Sequence, residues 1–144
     1  MRKVQPIVYS LMALYDALGG RFADLSRPQL RLLAKVASNQ PTVSELADQL
    51  NISSPGVTQM IDKLQGKGYV ERQSLEKDQR VVRVRATADG LKALTEAEQV
   101  FESRVEALLS PLSAEERTQL LALLQKVGGR QPQGGETEPR SVLY

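Results

Sequence analysis

Ser53, Ser54, Pro55 and Gly56 open a stretch of helical period, NISSPGVTQMIDKLQGKGYVER (51–72), and Thr58, Gln59 and Lys63 follow on its polar side. Residues 49–61 carry no charge. A helix whose first turns hold no carboxylate keeps the positive end of its dipole un-neutralised and its backbone amides approachable, a setting that accepts phosphate. Thr, Gln and Lys side chains bond base edges or phosphates in a major groove. Downstream, Lys77, Arg80, Arg83 and Arg85 form a second group, cations able to reach an adjacent minor groove. Taken alone, Ser-Pro-Gly is simply a good helix start. Beside the cations, it points to recognition of double-stranded DNA.

The chain has neither cysteine nor histidine. Disulfides, thiolate nucleophiles, imidazole bases and the usual zinc sites are excluded with them. A hydrolase using carboxylates alone is disfavoured, because no Asp/Glu pair lies in an apolar setting that would raise one pKa. The expectation is a protein that is not an enzyme and needs no cofactor or metal. The net charge of +2 is unevenly spread: residues 1–50 hold six basic and four acidic groups, 51–85 seven and four, 86–144 six and nine. The basic excess falls on the two groups above, although a solvated surface carries such a pattern equally well.

Helices must position these groups, because aromatic content is 4% and Trp is absent, leaving burial to Leu, Val, Ile, Met and Ala. Val4, Ile7, Val8, Leu11, Tyr15 and Leu18 follow three-and-four spacing and predict a first helix, ended by Gly19-Gly20. A second starts at Ser26, with a capping box to Gln29, Pro28 in its first turn, and a stripe of Leu30, Leu33, Ala34 and Ala37. Thr42 to Glu45 is another capping box, opening a short helix that turns Leu46, Ala47 and Leu50 inward. Asn51 suits a left-handed corner and Ile52 is expected to plug it. Ser54-Pro55 then restarts the helix as N-cap and first helical residue, with Val57, Met60, Ile61 and Leu64 inward. Two short helices around a tight corner make a helix-turn-helix.

Gly66 and Gly68 end that helix, and the period drops to two. Val82, Val84 and Ala86 alternate against Val81, Arg83 and Arg85, and with 69–75 as partner strand they predict a β-hairpin with a charged tip, Glu76 to Arg80. From Ala88 the helical period returns. Leu91, Leu94, Phe101, Val105, Leu108 and Leu112 form a seam of roughly three heptads in which Glu98 is polar. Ser113 to Glu116 caps a final helix carrying Leu120, Leu121, Leu123, Leu124 and Val127.

One main domain over 1–127 is expected, with 128–144 a flexible tail of Gly, Pro, Gln and Glu without periodicity. The opening residues read as an amphipathic helix rather than a secretory leader, because Pro6, Ser10 and Asp16 interrupt the apolar run. No stretch approaches the ~18 apolar residues of a membrane span. A cytoplasmic location is therefore expected. The end helices and the long seam hold more leucine than one small chain can hide, which predicts a homodimer with two reading heads for a pseudo-palindrome about one helical turn apart.

In element order and local pattern the chain resembles the MarR (multiple antibiotic resistance regulator) family of bacterial and archaeal transcription factors. The similarity runs from about residue 5 to 127. It is carried by QLRLLAKVASNQPTVSELADQLNISSPGVTQMIDKLQGKGYVER, the wing KDQRVVRVRAT, and ADGLKAL. Asp78 and Arg80 match the family's Asp-x-Arg, and Ala86-Thr87-Ala88-Asp89-Gly90 its Leu-Thr-x-x-Gly with Ala for Leu. The resemblance implies a mainly α fold with a small β-hairpin wing (α+β). This winged helix-turn-helix has a DNA-binding lobe at about 28–88 and dimerisation helices at about 3–20 and 89–127. Its recognition helix enters the major groove and its wing the minor groove. Arg80 is then the wing-tip arginine, oriented by an ion pair with Asp78.

The resemblance also implies a response to small aromatic or phenolic compounds bound between the dimerisation and DNA-binding regions. Tyr9, Met12, Tyr15, Arg21 and Phe22 can supply apolar walls and a cation for an anionic effector. Oxidant sensing through cysteine, or zinc sensing through histidine, has no residue to use here. The expected function is a homodimeric DNA-binding repressor released by such a ligand. The alternative is a winged helix used for protein contacts, which predicts no salt-dependent binding to duplex DNA.

Overall fold

The computed structural model describes residues 3–75 and 78–128, and for residues 75 and 78–80 it describes the backbone only. The elements run α1 (Gln5–Leu18), β1 (Arg21–Phe22), β2 (Leu25–Ser26), α2 (Arg27–Asn39), α3 (Val43–Leu50), α4 (Ser54–Gly66), β3 (Val70–Leu75), β4 (Asp78–Ala86), α5 (Ala88–Leu109) and α6 (Ala114–Gly128). This is the mainly α winged helix-turn-helix that the sequence predicts. The tail expected at 128–144 lies outside the described residues except for Gly128, which ends α6.

α2 sits at the centre, packed on α3, α5, both strands of the β1–β2 ladder, and β4. Its buried face is wider than the single stripe expected, because Leu32 and Val36 are enclosed along with Leu30, Leu33 and Ala34. Around it Phe22, Leu25, Leu46, Leu50, Val57, Ile61, Leu64, Val70, Val84 and Leu94 complete one core. The capping boxes form as predicted: Ser26 with Gln29, Thr42 with Glu45, and Ser113 with Glu116. Each pairs an orphan amide at the helix start with a side chain.

β3 and β4 pair antiparallel, Val70 with Ala86 through Ser74 with Val82, and an irregularity follows between Ser74 and Leu75. β4 reaches back to Asp78, so the strand takes in part of the expected tip of Glu76 to Arg80. Beyond the hairpin, Thr87 caps α5 by accepting the Gly90 amide at 3.0 Å, and its hydroxyl donates to the Gly68 carbonyl at 2.6 Å. Gly90 is itself a close approach: a Cβ there would stand 2.0 Å from the Tyr69 carbonyl oxygen. The Thr-x-x-Gly spacing is thus a cap plus a backbone contact that admits no side chain.

Two expectations need correcting. Ile52 does not plug the helix-turn-helix corner but remains 39% exposed, because the left-handed Asn51 turns the chain outward there. Leu91, on the α5 seam, is exposed in the single chain, since the lobe receives α5 on Gly90, Ala93, Leu94, Ala97 and Glu98, one residue row away from it. Leu112, placed on the α5 seam by periodicity, lies past the end of that helix. The two-residue strands β1 and β2, paired Arg21 to Ser26 and Phe22 to Leu25, were not anticipated, since so short a ladder leaves no periodicity.

Neither α1 nor α6 has a buried residue. Two arginines hold the carboxyl end of α1. Arg27 lies 3.6 Å over the Tyr15 ring and donates to the carbonyls of Tyr15 and Gly19, and Arg104 donates to the Leu18 carbonyl at 2.9 Å. They supply the positive charge that a helix carboxyl end favours and that the last turn of α1 lacks. Among the described residues no helix is long and apolar enough to cross a membrane.

Candidate nucleic-acid interface

The amino end of α4 lies open. Ser53, Ser54 and Pro55 are exposed and Gly56 is half-buried. The N-cap is Ser53 rather than Ser54: its hydroxyl accepts the Gly56 amide at 3.1 Å, leaving Ser54 as the first helical residue and Pro55 as the second. The first turn has no acidic residue, in contrast to α3, where Glu45 closes the cap. Val57, Ile61 and Leu64 anchor the helix in the core, and Thr58, Gln59, Asp62 and Lys63 are exposed on its other side.

Two of the hairpin cations are engaged within the chain. Arg83 donates to the Gln40 carbonyl at 3.2 Å and stands 3.6 Å from Glu45, drawn toward the start of α3 by the bridge between Thr42 and Arg83. Arg85 pairs with its cross-strand neighbour Glu71 at 2.5 Å. Arg72, unmarked by the sequence reading, bonds Asp62 at 2.6 Å and also Gln65. Lys77 lies outside the described residues. Asp78 and Arg80 are placed by their backbone in β4, and their side chains, with the expected ion pair between them, lie outside what is described.

A second polar group ties the far end of α4 to the β1–β2 turn. The Tyr69 hydroxyl donates to Asp24 at 2.6 Å, and Lys67 bonds the Asp24 carbonyl at 3.0 Å. The donated hydrogen bond pushes the Tyr69 phenol up to about 12. The same bond, with the Lys67 charge beside it, holds the Asp24 carboxyl below the usual carboxylate range. These residues lie 43 and 45 positions apart, so no local pattern announces them.

The five residues named for an effector sit in different settings. Tyr9 and Met12 are exposed on α1, Arg21 is exposed on β1, and Phe22 is enclosed against Phe101 with ring centroids 5.2 Å apart. Tyr15 lines a cavity of about 300 Å³, with Asp16, Gly19, Gly20, Arg27 and Pro28. A wider groove of about 460 Å³ lies between the β1–β2 turn and α5, beside Ala23, Glu96, Ser103 and Arg104.

Comparison with known proteins places this arrangement. A family model described as MarR family matches residues 25–82, the span from β2 into β4. YdgJ of Bacillus subtilis (strain 168), an uncharacterized HTH-type transcriptional regulator, is 29% identical over 125 residues, covering 84% of this chain and 76% of that protein. Among solved structures, a mutant MarR from E. coli superposes with a TM-score of 0.75 and 26% identity across 88% of this chain and 97% of its own. Mutant MarR complexed with operator DNA gives a TM-score of 0.69 at 26% identity, over 86% and 92% of the two chains. The likeness extends through most of those regulators and the family match falls on the helix-turn-helix and hairpin, so the chain is similar to MarR-family transcriptional regulators over most of its length.

Proposed function

We propose that the chain is a homodimeric repressor that grips a pseudo-palindromic operator with α4 and the β3–β4 hairpin and lets go on binding a small aromatic or phenolic compound. The observation that carries this reading is the exposed, carboxylate-free amino end of α4, whose amides and small side chains admit a phosphate. In the complex Ser53, Ser54, Pro55 and Gly56 come against the backbone, and Thr58, Gln59 and Lys63 face the major groove. Lys77, Asp78, Arg80 and Arg83 serve the hairpin at the minor groove. Arg83 joins them only by leaving Gln40 and Glu45, so Arg80 carries more of that contact. Support comes from the relative solved with operator DNA.

Dimerisation follows from the open apolar faces of α1 and α6. Val8, Leu11, Leu121 and Leu123 find cover when two copies meet about a two-fold axis, with helices 3–20 and 89–127 flanking the lobe at 28–88. For the effector, the cavity at the α1–α2 junction offers the Tyr15 ring and the Arg27 cation, a fit for an aromatic acid. Tyr9, Met12, Arg21 and Phe22 contribute only if that junction rearranges. The protein works in the cytoplasm.

The test is selection of bound duplexes from a random-sequence pool, followed by titration at several salt concentrations. An inverted repeat should emerge. Arg80→Ala should weaken binding to it and reduce the salt slope by about one, while Gln59→Ala should change the preferred sequence. Wild-type protein that shows no salt-dependent binding to any duplex would overturn this reading in favour of a protein-contact module.

A further inference from the structure

Asp62 fits poorly on a surface offered to DNA. It lies one helical turn beyond Thr58 and three residues beyond Gln59, on the outward side of α4, with its side chain 61% exposed. A bare carboxylate at that place repels the phosphate backbone, and the repulsion grows as water is excluded. The fold answers it from another element. Arg72, on β3, sets Nη2 2.6 Å from Asp62 Oδ1, while its Nη1 donates to Gln65 Oε1. Gln65 is three residues after Asp62, so both acceptors lie on the same side of the helix. The planar guanidinium can hold two acceptors in fixed geometry, which an ammonium cannot.

Both members of the pair therefore have a use that neither has alone. Arg72 cancels the Asp62 charge, and Gln65 as second acceptor holds the guanidinium in place beside it. The Arg72 side chain is itself only 30% exposed, turned to the helix rather than to solvent.

We propose, resting on the DNA-binding reading above, that Arg72 is a positioning residue for operator recognition. It neutralises Asp62 on the recognition face without contacting the DNA itself. The proposal separates cleanly from a direct phosphate contact. An arginine that touches phosphate is missed whatever occupies position 62; an arginine that works by cancelling Asp62 is not missed once Asp62 has gone.

The experiment is a double-mutant cycle on the full chain, using as probe a fluorescein-labelled duplex that the wild type selects from a random-sequence pool, with anisotropy as the readout. Arg72→Ala should weaken binding roughly five- to tenfold at low salt. The double variant Arg72→Ala/Asp62→Ala should return to within about twofold of wild type, as expected for residues coupled through one interaction. If Arg72→Ala fails to fold by circular dichroism, Arg72→Met, which keeps the packing stem, takes its place in both variants. A double variant as weak as the single one shows that Arg72 contacts DNA directly and overturns the proposal. So does a single variant that binds like wild type. Failure of the wild type to select any duplex is a separate result, which removes the DNA-binding reading and this inference with it.

Discussion

The lobe around α2 and the pair of flanking helices α1 and α6 carry apolar stripes of the same helical period, yet they treat them in opposite ways. Leu30, Leu33, Leu46, Ile61 and Leu64 in the lobe have no exposure, whereas Val8, Leu11, Leu121 and Leu123 on the flanking helices remain between 44% and 60% exposed. Burying such a side chain contributes about 1.5–3 kcal/mol, so the lobe gains from its stripes within one chain and the flanking helices do not. The period of a stripe states that a face is to be covered. It says nothing of which chain supplies the cover. The lobe should accordingly be stable by itself, and the flanking helices should depend on protein concentration.

Substitutions test that contrast, beginning with the largest effect. Gly90→Ala drives a Cβ into the Tyr69 carbonyl and should cost more than about 3 kcal/mol of unfolding free energy in urea. An unchanged midpoint would mean the lobe yields where it is described as rigid. Leu33→Ala should lose about 2–5 kcal/mol at any protein concentration. Leu123→Ala should lose less than about 0.5 kcal/mol in dilute solution and progressively more as concentration rises. Equal and concentration-independent losses at the two sites would erase the distinction.

Smaller effects sharpen the picture inside the lobe. Ser53→Ala should cost about 1 kcal/mol as a lost N-cap, whereas Ser54→Ala should leave stability near wild type. The reverse ranking would restore Ser54 as the cap. The least effect is at the Tyr69–Asp24 bond. The raised Tyr69 phenol contributes stability that is present below its ordinary 10.0 and lost as pH rises through about 12. The lowered Asp24 carboxyl contributes stability that is present above its ordinary 3.8 and lost as pH falls through its folded value. Near-ultraviolet titration of wild type minus Tyr69→Phe should give a phenol midpoint near 12, and Asp24→Asn should bring it down toward 10.0.

What the sequence made legible was local. Ser26, Thr42 and Ser113 each find their partner three residues on, and Asn51 takes its left-handed turn, because these choices involve only neighbouring backbone. The cap of α4 was misplaced by one residue because Ser53 and Ser54 are chemically alike, and the choice depends on where the core seats Val57. Arg83 was legible as a cation but not as a neighbour of Gln40, which is 43 residues away. Arg72 carried no signal at all, since its partners lie on a different element with a different period. Periodicity locates the faces; the pairings across them come from the fold.

The arginine clamp at the end of α1 has a mechanical consequence. The attachment described there consists of two guanidinium groups on three carbonyl oxygens and a ring, with no residue of α1 enclosed. Water can stand in for a guanidinium at a carbonyl with little loss, whereas a sealed oily seam cannot be opened so lightly. The joint between α1 and the lobe is thus built of contacts that solvent can replace one at a time, and Arg27 and Arg104 decide between them how firmly it holds.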